Sequence, residues 1–332
     1  MADVRIANPL AIGDANTTDA EKIALAKEVF SGEVLKAFEQ KTVTKGRVVE
    51  RSITSGKSAD FPCFGRTSAH YLKAGQNLDD LRQNIKQGIR KIDIDGLLTA
   101  DFLVFDLDEF MSHFDFRSPY AEECGNALAI SHDASVIAEI AKEALSTTEN
   151  VEGNGLGGVI TKTVASGNEV GINQATGLAI YELLLEAKSR MSKNHVPAGD
   201  RTVYIDPDFH SALASNLAFL NSQHGATGTI IEGNIIKLAG FDIVECPHIT
   251  RGGDDNTNTI GGVGHVFPAE YKNKKPIIIH HKSAVGVVKL KDVNVEHARR
   301  AEYQADQFIT KMAEGCGGLR PEACFIGVIE SA

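Results

Sequence analysis

Residues 118–147 read SPYAEECGNALAISHDASVIAEIAKEALST, the stretch around which the rest of the chain is read. Ser118 can cap a helix, and Pro119 suits the first helical position, where a missing N–H costs nothing. Glu122 and Glu123 lie near the positive end of the helix dipole, and Lys142 lies near the negative end. Between them Tyr120, Cys124, Ala127, Ser131, Ala134, Ala138, Ala141 and Leu145 follow alternating four- and three-residue steps, flanked by Ile130 and Ile137. The spacing predicts one helix over 118–147, roughly 45 Å long at about 1.5 Å per residue. Its seam is mostly Ala and Ser, which lets another segment approach the backbone closely. A long core helix in any mixed domain fits this stretch equally, so the neighbouring segments decide.

The chain has 332 residues, 42% of them hydrophobic, enough for a sizeable core and room for subdomains. Its formal charge of -10 argues against general nucleic-acid binding. The start, MADVRIANPL, has no basic segment followed by an apolar one, and no apolar run reaches membrane-spanning length. A soluble, non-secreted protein without membrane contact is expected. Cys63, Cys124, Cys246, Cys316 and Cys324 are scattered and odd in number, so they read as reduced, mostly core thiols.

Residues 1–18 are aperiodic and read as an extended arm. Thr18–Phe30 reads as a short helix interrupted by Gly32, after which Val34, Leu35, Ala37 and Phe38 continue the apolar pattern. Residues 47–91 form a basic finger. It opens with RVVERSIT, passes through an irregular tip and returns in IRKIDID, where Ile92 and Ile94 alternate with Asp93 and Asp95. Nine cations, among them Arg51, Lys57, Arg66 and Arg82, outweigh the four acids Glu50, Asp60, Asp79 and Asp80. The finger therefore carries +5 on a chain whose total is -10, leaving -15 elsewhere. An isolated hairpin is marginally stable in water. A basic finger bearing Phe61, Phe64 and Tyr71 suits an acidic neighbouring surface; a solvated charged loop is the alternative.

The apolar segment 96–116 feeds the long helix. Beyond it come a glycine-rich break at 153–158, an amphipathic helix from about Asn173 to Lys193 and a strand at 202–206 followed by a helix from Pro207. Two short strands around Gly240 and a polar loop at 251–262 follow, then a strand region at 275–290 and a mixed closing segment.

Catalytic motifs fail on inspection. The glycines 153, 155 and 158 have dinucleotide-loop spacing but follow a helix and a polar loop instead of a strand. Ser55–Ser58 ends like a phosphate loop, yet the upstream glycine would fall at Arg51. Asp93 and Asp95 lack the remaining calcium ligands, His280 and His281 alternate faces on a strand, and Cys246 reads as a core thiol. No catalytic residue, cofactor site or metal site is read from the sequence.

Several segments closely resemble major capsid proteins of short-tailed Autographiviridae podophages: RSITSGKSADFP (51–62), GLLTADFLVFD (96–106), VPAGDRTVYIDPD (196–208), HVFPAE (265–270), HHKSAVGVVKLKDVNVEHARRAEYQADQ (280–307) and GGLRPEA (317–323). The resemblance runs from about Glu21 to Ile326 and weakens at 1–20 and 251–262. It implies an α+β, HK97-like fold, with an N-arm at 1–46, an E-loop at 47–95 and a P domain at 96–149 holding the spine helix. An A domain would follow at 150–291, with a return to the P domain at 292–332. Loop 251–262 would face a capsomer axis. The function implied is a virion capsid subunit that self-assembles into hexamers and pentamers in the bacterial host cytoplasm. It would enclose double-stranded DNA without sequence-specific binding, and one vertex of the shell would hold a portal protein. The short arm leaves no room for an internal scaffolding segment, so a separate scaffolding protein is expected.

On that reading Arg51, Lys57, Phe61, Phe64, Arg66, Tyr71 and Arg82 face a neighbouring subunit. The acidic spine face of Glu122, Glu123, Asp133, Glu139 and Glu143 receives them. Residues 117–143 carry these five acids against Arg117 and Lys142. An encapsulin-type compartment of the same fold and a soluble enzyme using the glycine-rich loop are the alternatives.

Overall fold

The computed structural model describes residues 31–107, 117–165, 167, 169–216, 237–253 and 264–331. The arm and the helix expected up to Phe30 lie outside these residues, as does most of loop 251–262. The chain divides into two compact units. One takes in Met1–Thr42, Leu97–Ile130 and Lys291–Ala313, the other Val43–Gly96, Ser131–Leu290 and Glu314–Ala332. This division by packing is coarser than the five parts that the resemblance implies.

The first unit holds helix α1 (31–41), the start of helix α2 (Arg117–Ala144) and strand β4 (Gly96–Phe105). Gly32 does not interrupt α1; it sits inside the helix with open space around it, where the missing side chain costs little packing. Val34, Ala121, Val104, Val295 and Phe308 form one apolar cluster; Phe38, Leu128, Ala129 and Met312 form another. Phe102 packs edge-on against Tyr120 at 5.1 Å and stacks on Phe308 at 5.3 Å. At Gly125 an added Cβ would lie 2.6 Å from the Val34 carbonyl oxygen, so α1 is the segment that exploits the small residues of α2. Ala127, placed on the seam by its spacing, is exposed.

The second unit is built on a mixed six-stranded sheet of order β5-β12-β9-β6-β8-β7. Its strands are β5 (Gly158–Thr163), β6 (Arg201–Ile205), β7 (Lys237–Leu238), β8 (Phe241–Glu245), β9 (Ile277–His281) and β12 (Cys324–Glu330). Every residue of β6 and β9 is buried, which explains their uninterrupted rather than alternating apolar pattern. Between β7 and β8 a two-residue turn places Ala239 at φ 54° and Gly240 at φ 89°, the positive values that a tight hairpin needs. Helix α3 (Gln174–Lys193) begins at Asn173, whose side chain accepts from the Thr176 N–H at 2.8 Å. Helix α4 (Pro207–Ala214) is capped by Asp206 and opens on proline. Val136, Ile137 and Ile140 of α2 join the core with Ile180, Leu183 and Leu184 of α3. Cys246 is fully buried there, and burial pushes its thiol up to about 12, which removes it as a nucleophile.

The α2 helix spans Arg117–Ala144, three residues short of the expected end. One strand assignment changes. RVVERSIT gives β1 (Val49–Ser52), which pairs in parallel with the start of β10 (Val285–Arg300), Val49 opposite Gly286 and Ser52 opposite Lys289. The finger is instead the antiparallel pair β2 (Ser58–Phe64) and β3 (Gln87–Asp93). Among the described residues no helix is long and apolar enough to cross a membrane.

Candidate assembly surface

Alternation along the hairpin sorts its side chains onto two faces. Ala59 and Phe61 of β2 and Ile92 of β3 point inward with Ile94, packing on Val288 and Leu319. The register sets Ala59 opposite Ile92 and Phe61 opposite Arg90. Phe61 is therefore a core anchor of its own chain, and its expected place on a neighbour's surface is corrected. Phe64, by contrast, is 62% exposed, Ile89 72%, and Tyr71 on the tip lies wholly in solvent. An apolar, aromatic tip of this kind is uncommon on a surface that stays in water.

The cations divide in the same way. The Arg51 guanidinium lies over the Phe61 ring at 5.8 Å and donates to the Asp60 carbonyl at 2.8 Å. Arg66 donates to the carbonyls of Asn154 and Asn194. Lys86 pairs with Glu152, and Arg82 with Asp79 at 2.6 Å. Arg90 donates to Asn150 at 2.9 Å and lies 3.5 Å from Glu143. Lys57 is exposed on the turn before β2. Much of the finger's positive charge thus steadies the finger on residues of the same unit.

The five acids of α2 do not form one face. Glu122 and Glu123 are exposed. Asp133 is fully buried and accepts from the Val43 N–H at 2.8 Å, the Thr44 N–H at 3.1 Å and the Thr44 hydroxyl at 2.5 Å. Glu139 binds His265 at 2.8 Å and Lys142 at 2.7 Å. Glu143 is half-buried; burial pushes its carboxyl above the ordinary value against the pull of Arg90. The reason is that the second half of α2 is enclosed nearly all round, so an acid there meets its own chain whichever way it points. Only Glu122 and Glu123 keep the solvent-facing position expected of all five.

A group that the sequence did not suggest lies at the root of the finger. Asp95 follows β3, His265 follows the polar loop and Cys316 lies on β11 (Ala305–Gly318), 170 and 51 residues from the histidine. One donor atom of each lies within 4.8 Å of the others. Their separation along the chain leaves no motif to find.

The chain is similar to known shell proteins over most of its length. The model for the family described as "Gp10A-like: Major capsid protein" matches residues 60–327. The major capsid protein of Escherichia phage T7 is 45% identical over 317 residues, covering 91% of each chain. The capsid of cyanophage P-SCSP1u superposes with a TM-score of 0.71 at 31% identity, covering 88% of this chain and 89% of that one. The mature capsid of bacteriophage PhiM1 superposes at 0.68 with 14% identity over 87% of each, a likeness of fold alone. The α+β fold is accordingly HK97-like, and the role is structural instead of enzymatic. The chain belongs to the Gp10A-like family of major capsid proteins, which self-associate into the icosahedral shell of the phage virion.

Proposed function

We propose that this chain assembles on a separate scaffolding protein into the hexamers and pentamers of a shell enclosing double-stranded DNA. One vertex takes a portal protein, and assembly occurs in the host cytoplasm. The five-part division into N-arm (1–46), E-loop (47–95), P domain (96–149), A domain (150–291) and returning P-domain segment (292–332) belongs to this reading. A net charge of -10 suits a container that holds its genome by confinement, without sequence-specific binding.

The observation that carries the assembly mechanism is the exposed tip of the finger. Phe61 roots the hairpin in its own unit, while Phe64, Tyr71 and Ile89 present apolar area to solvent. Burying that area on a neighbouring subunit supplies most of the affinity of the contact. Lys57 and the exposed acids Glu122 and Glu123 supply register, each exposed pair contributing about 0–1 kcal/mol. A weak contact repeated around a closed lattice becomes strong, and its individual weakness lets misplaced subunits leave.

The test is negative-stain electron microscopy of the chain expressed with and without the scaffolding protein of its phage. Closed shells only with scaffold support the proposal. Uniform small particles without scaffold favour a self-sufficient protein compartment, and a stable monomer in both conditions refutes shell assembly.

A further inference from the structure

We propose that His265 is the positioning residue of the finger: a doubly protonated imidazolium, gripped at both nitrogens, that clamps the finger's root to the long helix. Its Nδ1 donates to Glu139 Oε1 on α2 at 2.8 Å, and its Nε2 donates to Asp95 Oδ2, just past β3, at 2.7 Å. A carboxylate oxygen only accepts, so each nitrogen must carry a proton, and a ring with two N–H groups is a cation. A neutral imidazole would offer one donor and leave its other lone pair facing an acid.

The surrounding groups hold that charge in place. Lys142 donates to the Glu139 carboxylate at 2.7 Å and to the carbonyl of Gly264, next to His265 in the chain, at 2.9 Å. Burial works to raise the Glu139 carboxyl, but His265 and Lys142 outweigh it and keep it below its ordinary value. The Cys316 sulfur lies beside the ring, 3.6 Å from each nitrogen, so both N–H directions are left to the acids. Burial pushes the Cys316 thiol up to about 12, which makes it a neutral neighbour. Burial also opposes the charge on His265; the two carboxylates outweigh it and hold the ring protonated well above its ordinary range.

The clamp acts where the hairpin closes. The Ile94 N–H donates to the Lys57 carbonyl at 2.9 Å, and the Asp95 N–H donates to the Glu314 carbonyl of β11 at 3.0 Å. At Gly315 an added Cβ would collide with the Asp93 carbonyl, so only glycine lets β11 run this close. One turn along α2 from Glu139, Glu143 lies 3.5 Å from Arg90 of β3. Arg90 brings its own cation to the helix, whereas Asp95 is an acid and needs one placed between. Without the imidazolium the Asp95 and Glu139 carboxylates face each other as like charges, and the root of the finger is pushed off the helix. The unfolded chain gives up the ring proton near pH 6.5 while the folded ring keeps it. The stability the ring contributes is therefore complete below about 6.5 and declines as pH rises. That of Glu139 is complete above about 4.5 and is lost in acid.

The test reads hydrogen–deuterium exchange at the imidazole C2 position by mass spectrometry, on the intact chain from about pH 5 to 10. The expected midpoint for His265 lies at least about two pH units above the roughly 6.5 of an unperturbed histidine. A midpoint below that overturns the clamp in the parent chain, without any variant. Backbone exchange then tests the positioning. His265→Gln should speed exchange of β2 and β3 by about 10-fold and leave β6 and β9 unchanged. Adding Asp95→Asn removes the repulsion and should bring the finger back to within about 3-fold of the parent. A finger that exchanges at the parent rate in His265→Gln overturns the proposal. So does one that stays fast in the double variant, since that loss would be one of packing and not of charge. These readings come from the chain itself and do not depend on what the finger's tip meets in a shell.

Discussion

Replacing Asp133 with alanine tests whether the acids of the long helix serve the interior or the surface. The carboxylate holds three donors: the Val43 N–H, the Thr44 N–H and the Thr44 hydroxyl. Thr44 and Asp133 are both fully buried, and Val43 is half-buried. A buried donor left unsatisfied costs about 1–3 kcal/mol, and the half-exposed Val43 amide recovers part of its loss from water. The sum is about 3–5 kcal/mol, a large share of the roughly 5–15 kcal/mol that holds a domain folded. Asp133→Asn keeps an acceptor for Thr44 but turns its amide N–H2 toward a backbone donor, so an intermediate loss is expected. Glu122→Ala with Glu123→Ala removes two exposed acids and should stay within about 0.5 kcal/mol. The chain has no tryptophan, so urea unfolding of dissociated subunits is best followed by far-ultraviolet circular dichroism. An Asp133→Ala midpoint within about 1 kcal/mol of the parent would refute the interior role.

Other substitutions separate the root of the finger from its tip. Phe61→Ala should cost about 3–5 kcal/mol of folding stability, whereas Phe64→Ser with Tyr71→Ser should leave unfolding unchanged and reduce the yield of closed shells in electron micrographs. Gly125→Ala forces a Cβ to within 2.6 Å of the Val34 carbonyl and should lower the melting temperature despite the better helix propensity of alanine. His280 is buried against Tyr204 at 5.2 Å, and burial holds its imidazole down at about 4. The unfolded chain takes up that proton near pH 6.5. Stability from the neutral ring is therefore complete above about 6.5 and lost as pH falls toward 4, on the order of 3 kcal/mol. His280→Gln should flatten that part of the stability profile.

Elements with strong local signals were legible in the sequence. Lys142 in its last turn marks the end of the long helix, Asn173 and Asp206–Pro207 open two others, and Gly240 marks a tight turn. Features set by distant packing were not. RVVERSIT and IRKIDID look like partners because both alternate and lie close in sequence, yet the start of β10 takes the first of them as a neighbour. The fates of Asp133, Glu139 and Glu143 depend on residues 43–44, 265 and 90, which a helical wheel cannot place. Phe61 and Phe64 differ by three positions, an odd step that sends them to opposite faces of β2, one buried and one in water. Asp95, His265 and Cys316 come from three distant segments and share no spacing rule.

Cryo-electron microscopy of the closed shell tests the assembly mechanism most directly. It should show the tip of each finger lying on the adjacent subunit, with Phe64 and Tyr71 buried there and Phe61 still packed on Val288 and Leu319 of its own chain. A closed lattice in which Phe64 and Tyr71 remain in solvent would contradict it.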